Sequence, residues 1–423
     1  MAISQPSILR QLRAPLLALL LPLLAIWWYF PQGLPWWRSV AIVSAWGGSA
    51  LLVANLALMV REPHIARMLG GLEYSYLWHH RSGMLAYVLL LCHPLALALD
   101  TWAEAPQMAW QTLAPWTQSW PIWLGWAALI LLMFGLATTF ALHLPYRRWR
   151  TLHMALGLGV LLGMTHIYVL LSEIQLLLVF ILLVILALSW RWIASDLGIA
   201  AHPYRVTQAL TQATGVVEVS LMPNATALDV SPGQFVLAAF GEKKRYRGCG
   251  EYHPFTVSGI AADGSLKLAI KALGQCTRRI QDVEPGVQVR VQGPFGNFLA
   301  ETAASPQLWF AGGIGIVPFI ACLRAHPCAQ TTTLFYLFRS AADAAFLSEL
   351  TTLAKSDPLF EFHAVETGQD LPDFPSLLQR VGQLNAREVN ICGPTPMVNA
   401  LMPLLRQQGV PYKSIHFERF DFR

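Results

Sequence analysis

TLHMALGLGVLLGMTHI, residues 151–167, carries a histidine near each end of an apolar, glycine-dotted run: His153 and His166. A second run, HHRSGMLAYVLLLCHPL at residues 79–95, repeats the pattern with His79, His80 and His93. The spacings are 93 − 79 = 14 and 166 − 153 = 13. A polar ring inside an apolar helix needs a reason, and neutral imidazole is a common axial ligand of haem iron. One such histidine reads as a packing or hydrogen-bonding residue. Four at matched depths on two helices read as two pairs of iron ligands.

Helix geometry treats the two runs differently. At about 100° per residue, 14 residues return to nearly the same face after a rise of about 21 Å. His79 and His93 therefore line one face. Thirteen residues fall off that face, so the second helix is expected to be tilted or distorted around Gly157, Gly159 and Gly163. Those glycines also suit close helix packing. By depth, His79 pairs with His153 and His93 with His166. His80 rivals His79, since 93 − 80 = 13. His64 and His143 fall at helix ends.

The surrounding composition agrees with a bilayer. Of 423 residues, 55% are hydrophobic and 13% charged, and mean hydropathy is +0.46. That is too apolar for an ordinary soluble chain. Asp and Glu are nearly absent from residues 14–194, whereas residues 202–423 read as a soluble sequence. Six spans are expected, at about 14–31, 38–60, 79–100, 121–143, 152–171 and 174–194. Arg10, Arg13, Arg61, Arg67, Arg81, Arg147, Arg148, Arg150 and Arg191 collect on one side and Arg38 stands alone on the other, with Asp100, Glu104 and Glu173, which puts both termini in the cytoplasm. The net charge of +5 is modest, and the one short basic cluster, Lys243–Arg247, reads as a solvated or cofactor-facing loop rather than a nucleic-acid site, so no nucleic-acid partner is expected. The six cysteines show no CxxC, so neither a zinc site nor a disulfide framework is expected.

Beyond Trp192 the pattern changes. Six short β-like runs between residues 205 and 292, separated by turns such as Ser231-Pro232-Gly233, predict an antiparallel barrel. Residues 305–423 alternate strand and helix and predict a parallel α/β sheet that binds a nucleotide. The expected division is 1–200, 201–302 and 303–423. EYHPFTVS at residues 251–258 puts aromatics beside a hydroxyl, suited to covering a flavin; it also reads as an ordinary strand start. KALGQCTR at 271–278 resembles a phosphate loop, with Lys271, Gly274, Thr277 and Arg278 at a helix start. AGGIGIVPF at 311–319 is a GGxGxxP pyrophosphate turn, with Gly312, Gly313, Gly315 and Pro318. Cys392-Gly393-Pro394 closes the last strand of that series. Arg339 follows the strand ending at Phe338, where an arginine clamps a 2′-phosphate and favours NADPH; a surface arginine is the other reading.

Taken together, these motifs resemble the NADPH oxidase / ferric reductase family of transmembrane flavocytochromes, in particular its compact bacterial members, over nearly the whole chain. The resemblance implies two b-type haems on His79/His153 and His93/His166. It implies FAD on Tyr252, His253, Pro254, Phe255 and Thr256, with Phe420 as the terminal aromatic over the flavin and Phe417 or Phe422 as alternatives. It implies NADP binding by AGGIGIVPF and by ICGPTPM at 391–397, and relates Arg38 to an arginine near the outer haem. Without a Ca²⁺ loop or long cytosolic insertion, no obligatory cytosolic activator is expected.

The expected activity is therefore electron transfer from cytoplasmic NADPH through FAD and two haems to an acceptor outside a bacterial inner membrane. The outer loop Thr101–Trp120 has no metal-ligand cluster, which favours O₂ and superoxide as product. The alternatives are a ferric-chelate reductase, a donor to a quinone or periplasmic protein, and a non-enzymatic transporter or haem carrier.

Overall fold

A computed structural model describes residues 16, 20, 23–24, 26–102, 104–140, 144–243, 245–299 and 305–419. Most of the first expected span, His143, Phe420 and Phe422 lie outside these residues. The chain divides into two compact units that part between Ile199 and Ala200.

In the first unit, helices run over Trp36–Leu58 (α1), Pro63–Met68 (α2), Leu72–Trp102 (α3), Pro106–Leu113 (α4), Trp120–Phe140 (α5), Tyr146–Met154 (α6), Leu156–Leu170 (α7) and Leu176–Ser189 (α8). Among the described residues, five helical stretches are long and apolar enough to cross a membrane: α1, α3, α5, α6–α7 together and α8 with its continuation to Asp196. They correspond to the second to sixth expected spans. The cause is compositional, since the long runs of Leu, Ala, Val and Trp leave only the helix to satisfy the backbone. Hydroxyls in these helices bond back to carbonyls of the preceding turn, as Ser82 does to Trp78 (2.6 Å) and Thr138 to Gly135 (2.7 Å). Pro63 opens α2, where Glu62 caps the Ile65 amide at 2.8 Å.

The expected distortion between His153 and His166 is present but lies elsewhere. The helical path is interrupted at Ala155, between α6 and α7, rather than along Gly157–Gly163. The glycines pack helices instead. A Cβ on Gly157 would stand 2.5 Å from Leu188 of α8, and one on Gly159 would stand 3.4 Å from Leu131 of α5.

In the second unit, strands His202–Ala213 (β1), Val216–Pro223 (β2), Phe235–Phe240 (β3), His253–Ile260 (β4), Leu266–Lys271 (β5) and Gln288–Phe295 (β6) close a barrel in the order β1-β2-β5-β4-β3-β6. All its pairings are antiparallel. Alternate residues such as Val217, Val219 and Leu221 fill its interior. Helix α9 (Gln275–Ile280) follows β5.

Strands Gln307–Gly312 (β7), Thr332–Phe338 (β8), Phe360–Glu366 (β9), Glu388–Gly393 (β10) and Ile415–Arg419 (β11) form a parallel sheet ordered β11-β10-β7-β8-β9. Helices Val317–Ala325 (α10), Leu347–Ser356 (α11), Phe374–Gln379 (α12) and Thr395–Gln407 (α13) connect them. Separate apolar clusters form against the sheet, one around Phe319 and Tyr336 and one around Phe310 and Leu401. The order reverses between β7 and β10, which makes their carboxyl ends the switch point of the sheet.

One expectation about cysteine is overturned. Cys249 and Cys276 form a disulfide with Cα atoms 5.6 Å apart. It ties the loop before β4 to the second residue of α9. No local spacing announces it, because the two residues meet only through pairing of the strands between them.

Candidate redox centres

The intramembrane histidines are held in a repeated way. His79 Nδ1 lies 3.3 Å from the Asn55 carbonyl and His93 Nδ1 lies 2.9 Å from that of Ala41. His166 Nδ1 lies 2.7 Å from the Pro121 carbonyl. A carbonyl only accepts, so each ring must carry its proton on Nδ1, leaving the Nε2 lone pair available. Metal-ligating histidines are oriented by this kind of backbone contact. Asn55 is among the last four residues of α1, whose carbonyls lack intrahelical partners. The acceptors on α1 are 55 − 41 = 14 residues apart, the same interval as His79 and His93 on α3.

His79 and His153 face each other with ring centroids 6.0 Å apart and planes at 69°. Two metal–imidazole bonds of about 2 Å each, together with the two ring radii, span roughly that distance. His153 stacks on Trp149 at 5.0 Å, and its buried Nδ1 has no hydrogen-bond partner among the described residues. The residues present thus fit a haem iron that His79 and His153 would hold. His79 is a ring that meets His153. His166 sits against Gly125, where a Cβ would come within 3.0 Å of the ring. Arg38, at the start of α1, bonds Asp100 near the end of α3 at 2.8 Å, so its guanidinium is already paired.

In the second unit, β4 carries the HPFT motif. His253, Pro254, Phe255 and Thr256 pair with Ala238, Leu237, Val236 and Phe235 of β3. Phe255 turns into the barrel core and packs edge-on against Phe240. Any contact it makes with a flavin is therefore through its backbone, contrary to its expected role as a covering aromatic. Pro254 and Thr256 alternate with it and belong to the other face. Arg290 stands over the Tyr252 ring at 5.5 Å. Burial pushes His253 below its usual pKa, with the Glu251 carboxylate acting in the opposite sense.

The loop before α9 is closed on itself. Thr277 Oγ1 accepts the amides of Leu273 and Gly274, both at 2.9 Å. The space a Cβ on Gly274 would occupy is open. Lys271, at the end of β5, reaches across to the nucleotide fold, with its Nζ 3.8 Å from a Cβ built on Gly313.

The two glycine turns meet at the switch point. Gly313–Ile316 forms a 3-10 turn after β7, and Pro318 opens α10. A Cβ on Gly315 would lie 2.1 Å from the Cys392 carbonyl, and one on Gly312 would lie 2.8 Å from Pro394. Glycine is required there for the two turns to approach. The buried Cys392 Sγ lies 3.6 Å from Glu418 Oε2 on β11. Arg339 is exposed at the carboxyl end of β8, beside β7. Glu418, Gly125 and the three carbonyl anchors were not readable beforehand, because each acts through a residue far away in sequence.

The fold is that of an FAD-binding reductase joined to an apolar helical unit. Residues 44–164 match the ferric reductase like transmembrane component family and residues 200–297 match an FAD-binding domain family. Together these matches place a ferric-reductase-like transmembrane component and an FAD-binding domain in one chain. Among curated relatives, the toluate 1,2-dioxygenase electron transfer component of Pseudomonas putida is 28% identical over 45% of this chain and 58% of its own length. An NADPH oxidoreductase of Mycobacterium tuberculosis is 29% identical over 46% of this chain and 53% of its own. The chain thus spans little more than half of each. The FAD/NAD binding domain of a nitric oxide dioxygenase from Vibrio cholerae O1 biovar El Tor is 19% identical, with a TM-score of 0.46, over 52% of this chain and 98% of that one.

Proposed function

We propose that this protein moves electrons from NADPH, through FAD and two b-type haems, across a bacterial inner membrane to an acceptor on the far side. The observation that carries the reading is the fixing of His79, His93 and His166 through Nδ1 by backbone carbonyls, which reserves Nε2 for a metal. His79 and His153 would hold the inner haem, His93 and His166 the outer. Tyr252, His253, Pro254, Thr256 and the backbone of Phe255 would hold FAD, with Lys271, Gly274 and Thr277 at its phosphates and Phe420 over its ring. Gly312, Gly313, Gly315, Pro318, Cys392, Gly393 and Pro394 would seat NADPH, and Arg339 its 2′-phosphate. The bound cofactors would supply hydride acceptance and one-electron relay, which side chains do not.

The domains proposed are 1–200, 201–302 and 303–423, with both termini cytoplasmic on the arginine-rich side. The pairing of Arg150 and Arg191 with Asp196 at 2.8 and 3.0 Å fits an interfacial position for that side.

The proposed acceptor is O₂, giving superoxide. Ferric chelate is the second reading, favoured by the family matched over residues 44–164. The decisive measurement is the haem spectrum of the purified protein after adding FAD and NADPH. Reduced b-type bands are expected, and their absence overturns the proposal. Acceptor reduction with and without superoxide dismutase separates O₂ from iron.

A further inference from the structure

The barrel and the parallel sheet of the second unit meet along a surface that is largely apolar. Val216 on β2 and Ala269 on β5 point out of the barrel into the cluster formed by Ile316, Val317 and Ile320. Apolar contact is non-directional, so such a surface holds two bodies together without fixing their angle. Arg324 adds directional bonds to this surface.

Arg324, in the last turn of α10, uses its whole guanidinium. Nη1 donates to Glu218 Oε1 at 2.6 Å and to the Ser258 carbonyl at 2.9 Å. Nε and Nη2 donate to the two carboxylate oxygens of Glu349 at 2.7 and 2.8 Å. The Ser258 hydroxyl donates to Glu218 at 2.6 Å, and the guanidinium lies 5.0 Å from the Phe346 ring. Glu218 and Ser258 belong to barrel strands β2 and β4, while Glu349 belongs to α11 of the sheet domain. Burial works against the charge on Arg324, but bonds to Glu349 and Glu218 hold its pKa above the usual value. Glu218 is only 4% exposed, on the outward face of its strand. A buried ion pair adds little net stability, because desolvation offsets its attraction, whereas a two-pronged fork fixes geometry.

What the fork connects gives it a role. The GGIG turn lies at the start of α10 and Arg324 near its end. β4 begins at HPFT and reaches Ser258 one residue before Gly259, where a Cβ would lie 3.4 Å from Arg324 Nη1. We propose that Arg324 is a positioning residue. It pins the helix that carries the nucleotide turn to the strand that carries the flavin motif, and so sets the approach of nicotinamide to flavin. This rests on the FAD and NADPH reading above. Thr214, whose amide bonds the Ala342 carbonyl at 2.8 Å, is a second tie between the domains, but it touches neither motif.

The test uses the full chain in detergent, as wild type, Arg324→Ala, Arg324→Lys and Glu349→Gln. Hydrogen–deuterium exchange, read without added cofactor, should rise in Arg324→Ala along Val317–Ala325 and His253–Ile260. Exchange in β8 and in the membrane helices should stay as in wild type. In rapid mixing with NADPH, the saturating rate of flavin bleaching should fall about tenfold to a hundredfold, the scale of an ångström-level misplacement. Flavin content and the Kd for NADPH should be unchanged. Arg324→Lys should lie between, and Glu349→Gln should show the same changes more weakly, which keeps the test valid if Arg324→Ala does not fold. Unchanged exchange at both segments overturns the proposal, as does exchange raised throughout the sheet domain. A wild-type flavin that NADPH does not bleach overturns the functional reading, while the exchange data still judge the latch.

Discussion

Gly125 lies against the ring of His166, and a Cβ there would stand 3.0 Å from Cε1 and Nε2. Pro121, one turn earlier on α5, supplies the carbonyl that holds Nδ1 of the same ring. Helix α5 thus provides both the anchor and the clearance for one imidazole. Gly125→Val should displace His166 and lower the haem-to-protein ratio from about two towards one. Pyridine haemochrome analysis gives that ratio, and two haems retained would rule out the assignment. NADPH bleaching of the flavin should persist.

Arg339 is exposed at the carboxyl end of β8, where a 2′-phosphate would be met. Arg339→Ala should raise the KM for NADPH by about tenfold, the loss of one charge-assisted contact, while leaving that for NADH nearly unchanged. Equal effects on both nucleotides would argue for a structural role.

The Cys249–Cys276 disulfide closes a loop over a sequence separation of 27 residues. Chain entropy puts its contribution at about 3.5 kcal/mol. Dithiothreitol, or Cys249→Ser, should therefore lower the unfolding midpoint of the flavin-binding unit by several degrees. An unchanged midpoint in scanning fluorimetry would mean that the link contributes nothing.

His253 gives a pH dependence with a definite sign. Its folded-state pKa lies below the ordinary 6.5 because burial disfavours the charged ring. Between the two values the unfolded chain binds more protons, so stability rises with pH there. The contribution is complete above about pH 6.5 and is lost as pH falls towards the folded value. His253→Gln should flatten this acid limb in unfolding curves taken from pH 5 to 7. An unaltered slope would show that another group governs it.

Much of this was readable in the chain because it is periodic or local. The strand expected to end at Phe338 ends there, and Pro318 of the GGxGxxP turn opens a helix. In both, burial pattern and turn residues lie within a few positions of each other. The histidine intervals were equally legible, since helical pitch converts residue count into position. The break at Ala155 was not, because alanine favours helix and nothing beside it signals an interruption. Arg324 was also invisible. Its partners Glu218, Ser258 and Glu349 are distant in sequence, and only folding of two domains brings them to one point.

The matched 14-residue intervals on α1 and α3 make that helix pair a ruler with two graduations. Each imidazole is registered against its own backbone carbonyl about 21 Å from the other, so neither site can be shifted alone. Deleting one residue between His79 and His93 would swing one ring by about 100° and part it from its mark. The spacing between the two histidine positions is thus set by counting residues, and side-chain substitution along α3 leaves it fixed.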